Sequence, residues 1–218
     1  MKVIGLTGGI ATGKSTVASL LRELGAVIVD ADQLAREIVH PGQPAWQDIL
    51  KDFGPGILND DQTINREKLR EIVFKDPTAR RRLETITHPR IRDLAQERIA
   101  SATAKRPEMV VYMAPLLFEN KVHEWIRPVV LVTCKRNVQK QRLKERDKLS
   151  DSDIERHLDA QMPIGEKRKL ADLVIENDGD LEELKRAVQN TWQKIKSTSP
   201  VPDTSHRKGR RGPGRPPE

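Results

Sequence analysis

The clearest chemistry in the chain lies in a stretch near the amino end, Gly8-Gly9-Ile10-Ala11-Thr12-Gly13-Lys14-Ser15-Thr16. Gly8, Gly13, Lys14 and Ser15 satisfy the G-x-x-x-x-G-K-[ST] spacing of a loop that cradles phosphate. Glycines permit positive φ and let successive N–H groups approach an anion closely. A helix opening at Lys14 would aim its positive end at the same anion. In such a loop the lysine reaches the β- and γ-phosphates and the serine hydroxyl ligates Mg²⁺. Lys14 is therefore a candidate catalytic cation and Ser15 a candidate metal ligand. A bare glycine turn between strand and helix has no need of Lys and then Ser at these places. A dinucleotide fold is excluded, because the loop lacks G-x-G-x-x-G.

Phosphoryl transfer to an alcohol also needs a group that orients the hydroxyl and accepts its proton. Asp30 and Asp32 follow the apolar run Ala26 to Val29. Asp32 is the candidate base, and Asp30 a support for Mg²⁺ or for the acceptor; either could instead cap the helix that follows. Arg142 and Arg146 are four apart and share a helix face. Guanidinium groups suit a transferring phosphate, so Arg142 is assigned a catalytic role and Arg146 a nucleotide contact. Arg168 is a further cation of the same region. His88 precedes Pro89, with Arg90 and Arg92 nearby, and is read as a substrate-pocket or turn residue, since the reaction needs no imidazole.

These groups must be carried by a particular kind of scaffold. Lys2 to Thr7 suits a buried strand, and Val17, Leu20, Leu21 and Leu24 recur at helical spacing before Gly25. Ala26 to Val29 is a second strand and Ala31 to Val39 a helix, broken by His40-Pro41-Gly42. Alternating strands and helices predict a parallel sheet with helical crossovers, an α/β three-layer architecture in which ligands bind outside the carboxyl ends of the strands. Residues 43 to 105 hold helical patterns only, with breaks at Gly54-Pro55-Gly56, Asp76-Pro77 and His88-Pro89, and predict an all-helical insert. Met109 to Met113, Val129 to Thr133 and Asp172 to Glu176 complete the strands. Val138 to Arg146 predicts a basic helix. Ser150 caps the next, and residues 136 to 165 form a cationic lid. Asp180 to Lys196 is the last helix.

The chain of 218 residues is long enough for one α/β domain with inserts. Scarce aromatics, 3%, exclude a base-stacking platform. The single cysteine, Cys134, excludes an intrachain disulfide and a zinc-type cluster, and with no membrane-length apolar run predicts a cytoplasmic protein. Net charge is +7, of which residues 197 to 218 contribute +3. That tail, rich in Pro, Gly and Arg, is expected to be disordered. Its Gly-Arg-Arg-Gly-Pro-Gly-Arg-Pro-Pro could enter a DNA minor groove, though a solubilising tail is the plainer reading. Nucleic acid is expected as a partner only through this segment. The guanine motif Asn-Lys-x-Asp is absent, since Asn120-Lys121 runs on to Val122-His123.

Taken together, Gly-Leu-Thr-Gly-Gly-Ile-Ala-Thr-Gly-Lys-Ser-Thr, Val-Asp-Ala-Asp ending at Asp32, His88-Pro89, Pro-Leu-Leu-Phe-Glu at 115 to 119, Ala-Gln-Met-Pro at 160 to 163 and Lys167-Arg168 resemble the dephospho-coenzyme A kinase family over residues 1 to 196. The resemblance implies ATP-dependent phosphorylation of the ribose 3′-hydroxyl of dephospho-coenzyme A, the last step of coenzyme A synthesis. It implies a nucleotide-binding core, a helical coenzyme-binding insert and a lid. It supports Asp32 as base and Ala11, Thr12, Gly13, Lys14, Ser15 and Thr16 as ATP contacts. Two departures stand out. Ala11-Thr12 replaces the frequent Gly-Ser, which a φ below zero would tolerate. The strand before Pro115 reads Tyr-Met-Ala with no acid, leaving Mg²⁺ to Ser15 and the Asp30/Asp32 pair. The rival readings are another phosphate-loop kinase of nucleosides or other small molecules and, from a different class, a nucleic-acid-binding ATPase. The residues leave oligomeric state open.

Overall fold

A computed structural model describes residues 2–197. The expected disorder of the tail, and its DNA reading, lie outside the described residues, apart from Ser197, which closes the last helix.

Five strands form one parallel sheet in the order β2-β3-β1-β4-β5. They are β1 (Lys2–Gly8), β2 (Ala26–Asp30), β3 (Met109–Met113), β4 (Val129–Thr133) and β5 (Leu173–Glu176). β3 and β4 are buried along their whole length, as strands covered on both faces must be. Alternation divides their side chains between two cores. Met109, Val111 and Met113 join Ile4, Leu6, Val130 and Val132 under α1 (Lys14–Glu23) and α9 (Leu181–Ser197). Val110, Tyr112, Val129 and Leu131 face the other way, against α5 (Pro77–Ala104), which contributes Ala95 and Ala102. The result is three layers, helix on sheet on helix.

Between β2 and β3 the chain makes α2 (Ala31–Glu37), α3 (Pro44–Phe53), α4 (Arg66–Lys75) and α5. A third core holds this segment together, made of Ile49, Ile57, Ile64 and Leu69 with Trp46 and Phe53 against it. The break expected at His88-Pro89 does not occur. α5 runs unbroken from Pro77 to Ala104 with Pro89 inside it. Proline leaves carbonyls of the preceding turn without their N–H partner. Here the Arg90 guanidinium donates to the Ile86 carbonyl at 2.7 Å, and ends on Asp48 of α3 at 2.5 Å. Arg90 thus braces the turn beside the proline and ties it to α3, while the missing bond itself is the one to the Thr85 carbonyl.

After β4 come α6 (Arg136–Asp147), α7 (Asp151–Asp159) and α8 (Ile164–Leu170). The Ser150 side chain accepts the Asp153 N–H, which fixes the start of α7. The expected cationic stretch spends much of its charge internally. Arg136 pairs with Glu155 and Asp159, Lys140 with Glu155, and Lys144 with Asp151. These pairs fasten α6 to α7.

Candidate active site

Strand register sets the site. Gly8 of β1 lies opposite Val132 of β4, and Asp30 of β2 lies opposite Met113 of β3, itself paired with Leu6. The ends of β1 and β2 therefore share one rim, two strand spacings apart, or about 10 Å. β1 is also where the strand order reverses, the place where open sheets bind ligands.

At this rim β1 gives way to the glycine loop and then α1. Gly13 precedes the helix at φ 91, and no side chain caps the helix start. Its first N–H groups are thus left for an anion. Lys14 is half-buried; desolvation pulls its ammonium below the ordinary lysine value, while Asp32 and then Asp30 pull the other way. The same two acids help burial push the Tyr112 hydroxyl up to about 12.

A cleft of about 800 Å³ opens over the loop. Ala11, Thr12, Gly13, Lys14, Ser15 and Thr16 line it, together with Asp32, Arg142 and Arg146. Asp32 sits in the first turn of α2 with its side chain exposed to the cleft. The Asp30 carboxylate accepts the Asp32 N–H at 2.9 Å and caps α2, the capping alternative read from the sequence. That cap fixes the backbone from which Asp32 projects. Arg142 donates to the Ala11 carbonyl at 3.4 Å and the Asn177 carbonyl at 3.1 Å. Arg146 lies at the cleft but forks onto Asp147 at 2.8 and 2.7 Å. Arg168 is exposed and held by Glu176 at 2.8 Å. His88 is exposed on α5 and does not line this cleft. The condition under which Ala11 would be tolerated without strain, a φ below zero, is not met, for Ala11 sits at φ 57, where a Cβ is costly.

Several contributors carry no local signature. Asn177, just past β5, is buried and donates to the Thr12 carbonyl at 2.9 Å. A Cβ at Gly13 would come within 2.2 Å of its amide, so glycine is needed there twice over. Gln139 and Gln161 both reach Ile10. Lys167, fully buried, meets Glu119 at 2.9 Å and the Pro115 carbonyl at 3.5 Å, bracing the cleft wall. The Pro-Leu-Leu-Phe-Glu, Gln-Met-Pro and Lys167-Arg168 stretches hinted at part of this second group, and nothing in the sequence hinted at Gln139 or Asn177.

Among the described residues no cluster of three or more His, Cys, Asp or Glu could hold a metal alone. Ser15 and Asp32, two oxygen donors, line the same cleft; an Mg²⁺ that arrives with phosphates takes one or two protein ligands of this kind.

A family model described as dephospho-CoA kinase matches residues 2–183. The chain belongs to the dephospho-CoA kinase family. A dephospho-CoA kinase of Geobacter sulfurreducens is 49% identical over 194 residues, covering 89% of this chain and 98% of that one. A solved structure of a dephospho-CoA kinase from Campylobacter jejuni superposes with a TM-score of 0.69 at 30% identity, covering 90% of this chain and 98% of the other. The solved structure of TT1252 from Thermus thermophilus gives 0.77 at 34% identity, over 89% and 97%. Membership accounts for the phosphate loop and the parallel sheet together. No described helix is long and apolar enough to cross a membrane.

Proposed function

We propose that this member of the dephospho-CoA kinase family transfers the γ-phosphoryl group of ATP to the ribose 3′-hydroxyl of dephospho-coenzyme A, giving coenzyme A and ADP. The observation that carries the reading is the meeting of Asp32 with the loop residues Gly8 to Thr16 on one cleft.

The loop amides and Lys14 hold the β- and γ-phosphates, where fixed donors stabilise charge without reorganising. The Asp32 carboxylate orients the 3′-hydroxyl and takes its proton as the new O–P bond forms. The bond from γ-phosphorus to the bridging oxygen breaks, and the electron pair leaves with ADP. The proton passes from Asp32 to solvent, to which that side chain is exposed. Arg142, which donates to the Ala11 and Asn177 carbonyls beside the loop, is assigned to offset charge on the transferring group. Mg²⁺ would be held by the Ser15 hydroxyl and the nucleotide, and would supply neutralisation of the charge on the phosphates. Arg146 serves as a nucleotide contact once it leaves Asp147. Leu181 and Leu184 line the same cleft and are the apolar side chains assigned to the adenine ring.

The insert, residues 43 to 105, is assigned to the coenzyme, and residues 136 to 165 to the lid. His88 would contact the acceptor from α5, the helix tied to α2 through the Arg98–Glu37 pair. The tail, 197 to 218, remains the only segment proposed for nucleic acid, and the cytoplasm the proposed location. Incubation with ATP and Mg²⁺ and a panel of dephospho-coenzyme A, adenosine and other nucleosides tests the reading. A product of dephospho-coenzyme A heavier by one phosphoryl group supports it. Phosphorylated nucleosides with untouched dephospho-coenzyme A overturn it.

A further inference from the structure

The phosphate loop does not hold its shape alone. Three consecutive carbonyls each accept a bond from a distant side chain: Ile10 from Gln139 Nε2 at 2.8 Å, Ala11 from Arg142 Nη1 at 3.4 Å, and Thr12 from Asn177 Nδ2 at 2.9 Å. In a trans peptide the C=O and the next N–H point in opposite directions. A carbonyl held toward one side therefore turns the following N–H toward the other. The Ile10 N–H is itself taken, donating to Gln161 Oε1 at 3.0 Å. One loop residue is thus gripped at both polar groups, and by two amides of opposite sense.

The two glutamines come from one unit. Gln139 lies in α6 and Gln161 just beyond α7, and the Arg136–Asp159 and Lys144–Asp151 pairs, at 2.8 and 2.6 Å, fasten those helices. Gly9 makes room for both. A Cβ there would stand 3.2 Å from Gln139 Nε2 and 3.4 Å from Gln161 Oε1.

We infer that Gln139 and Gln161 are positioning residues for nucleotide binding, clasping Ile10 from the α6–α7 pair so that the loop keeps its anion-accepting form. The inference rests on the reading that this loop takes the phosphates of ATP. It makes a polarity-specific demand: position 139 must donate and position 161 must accept.

The test uses the full chain with Gln139→Glu, Gln139→Lys, Gln161→Glu and Gln161→Lys. It measures ADP affinity by calorimetry, KM and kcat for ATP and dephospho-coenzyme A, and melting temperature. Gln139→Glu and Gln161→Lys are expected to weaken ADP and raise the ATP KM about tenfold, the scale of a lost and mispaired hydrogen bond. Their KM for dephospho-coenzyme A should change far less. Gln139→Lys should lose less than Gln139→Glu, and Gln161→Glu less than Gln161→Lys. General attraction to a triphosphate favours lysine at both positions, so the order at 161 decides. Lysine better at both, or a lowered melting temperature with an unmoved ATP KM, overturns the inference while nucleotide binding by the unaltered chain stands. Failure of the unaltered chain to bind ADP overturns the ATP reading and the clasp together. Should a charged variant not fold, Gln139→Met and Gln161→Met remove the bonds without charge. They are expected to raise the ATP KM severalfold, and an unchanged KM in both overturns the clasp.

Discussion

The carbonyls of Ile10, Ala11 and Thr12 are held by side chains from α6 and from the end of β5, more than a hundred residues away. The helices α3 and α4 are held in the opposite manner, by a small core of their own and by the exposed Arg82–Asp52 and half-buried Arg90–Asp48 ion pairs. Exposed pairs of this kind contribute roughly 0–1 kcal/mol each. The phosphate end of the molecule is therefore fixed by the whole fold, whereas α3 and α4 lean on a local core of four buried side chains and their partly buried neighbours. A rigid cradle suits a ligand whose charge must be met by preorganised donors. A segment with its own core can shift without disturbing that cradle. Changes at the loop should act on chemistry with little loss of stability, and changes in the insert core should do the reverse.

Lys14→Ala puts the largest strain on that contrast. Removing one fixed cation from the developing charge should lower kcat/KM by about 10³-fold, or about 4 kcal/mol. Stability should hold or rise slightly, because desolvation already works against the Lys14 ammonium. The direction of that shift adds a pH test. The free group loses its proton below 10.5, so ADP affinity should weaken as pH climbs toward that value, and Lys14→Arg should remove the limb. Steady-state rates, calorimetric titrations against pH and melting curves check all three. A strongly destabilised Lys14→Ala would mean that the cradle is part of the core.

Ile49→Ala probes the other region. Ile49 is wholly buried in the insert core, and its truncation should cost about 3 kcal/mol in urea unfolding. Its signature in kinetics should be a raised KM for dephospho-coenzyme A with the ATP KM nearly unmoved. Equal rises in both would erase the distinction between the two regions.

Asp32→Asn and Asp30→Asn sharpen it within a single turn of helix. Asp32→Asn should lower kcat about 10²-fold, near 2.7 kcal/mol, and spare ATP binding. Asp30→Asn keeps a capping oxygen, so it should change stability by only a few tenths of a kcal/mol. Comparable kcat losses would make the pair, rather than Asp32, the proton acceptor.

The two regions also differ in how far the sequence discloses them. The phosphate loop is legible because its chemistry is contiguous: glycines, lysine and serine stand at fixed spacing between a strand and a helix. β4 reads off as Val129 to Thr133 because a doubly covered strand is apolar throughout. Pro89 misleads, since losing one N–H bond, to the Thr85 carbonyl, does not end a 28-residue helix whose adjacent turn is tied to α3 through Arg90. Gln139 and Asn177 cannot be found this way, and Gln161 shows only as part of the Gln-Met-Pro stretch, with no sign of its partner. An amide side chain has no period and no charge, and its partners in the loop lie far off in sequence. Their role exists only once the strand order brings the ends of β1, β4 and β5 together.

The smallest effect comes from Ala11, the one loop residue whose type disagrees with its backbone. At φ 57 a Cβ costs roughly 1–2 kcal/mol, while glycine would lose roughly 0.5–1 kcal/mol more backbone entropy on folding. Ala11→Gly should therefore stabilise by about 0.5 kcal/mol, a rise in melting temperature of roughly 1–2 °C. The bond from Arg142 goes to the Ala11 carbonyl and survives the change, so the ATP KM should stay where it is. Thermal melting with a nucleotide titration separates the outcomes. A lower melting temperature with a raised ATP KM would mean that the capped carbonyls do not hold the loop, and that the stiffness of an alanine at this position does.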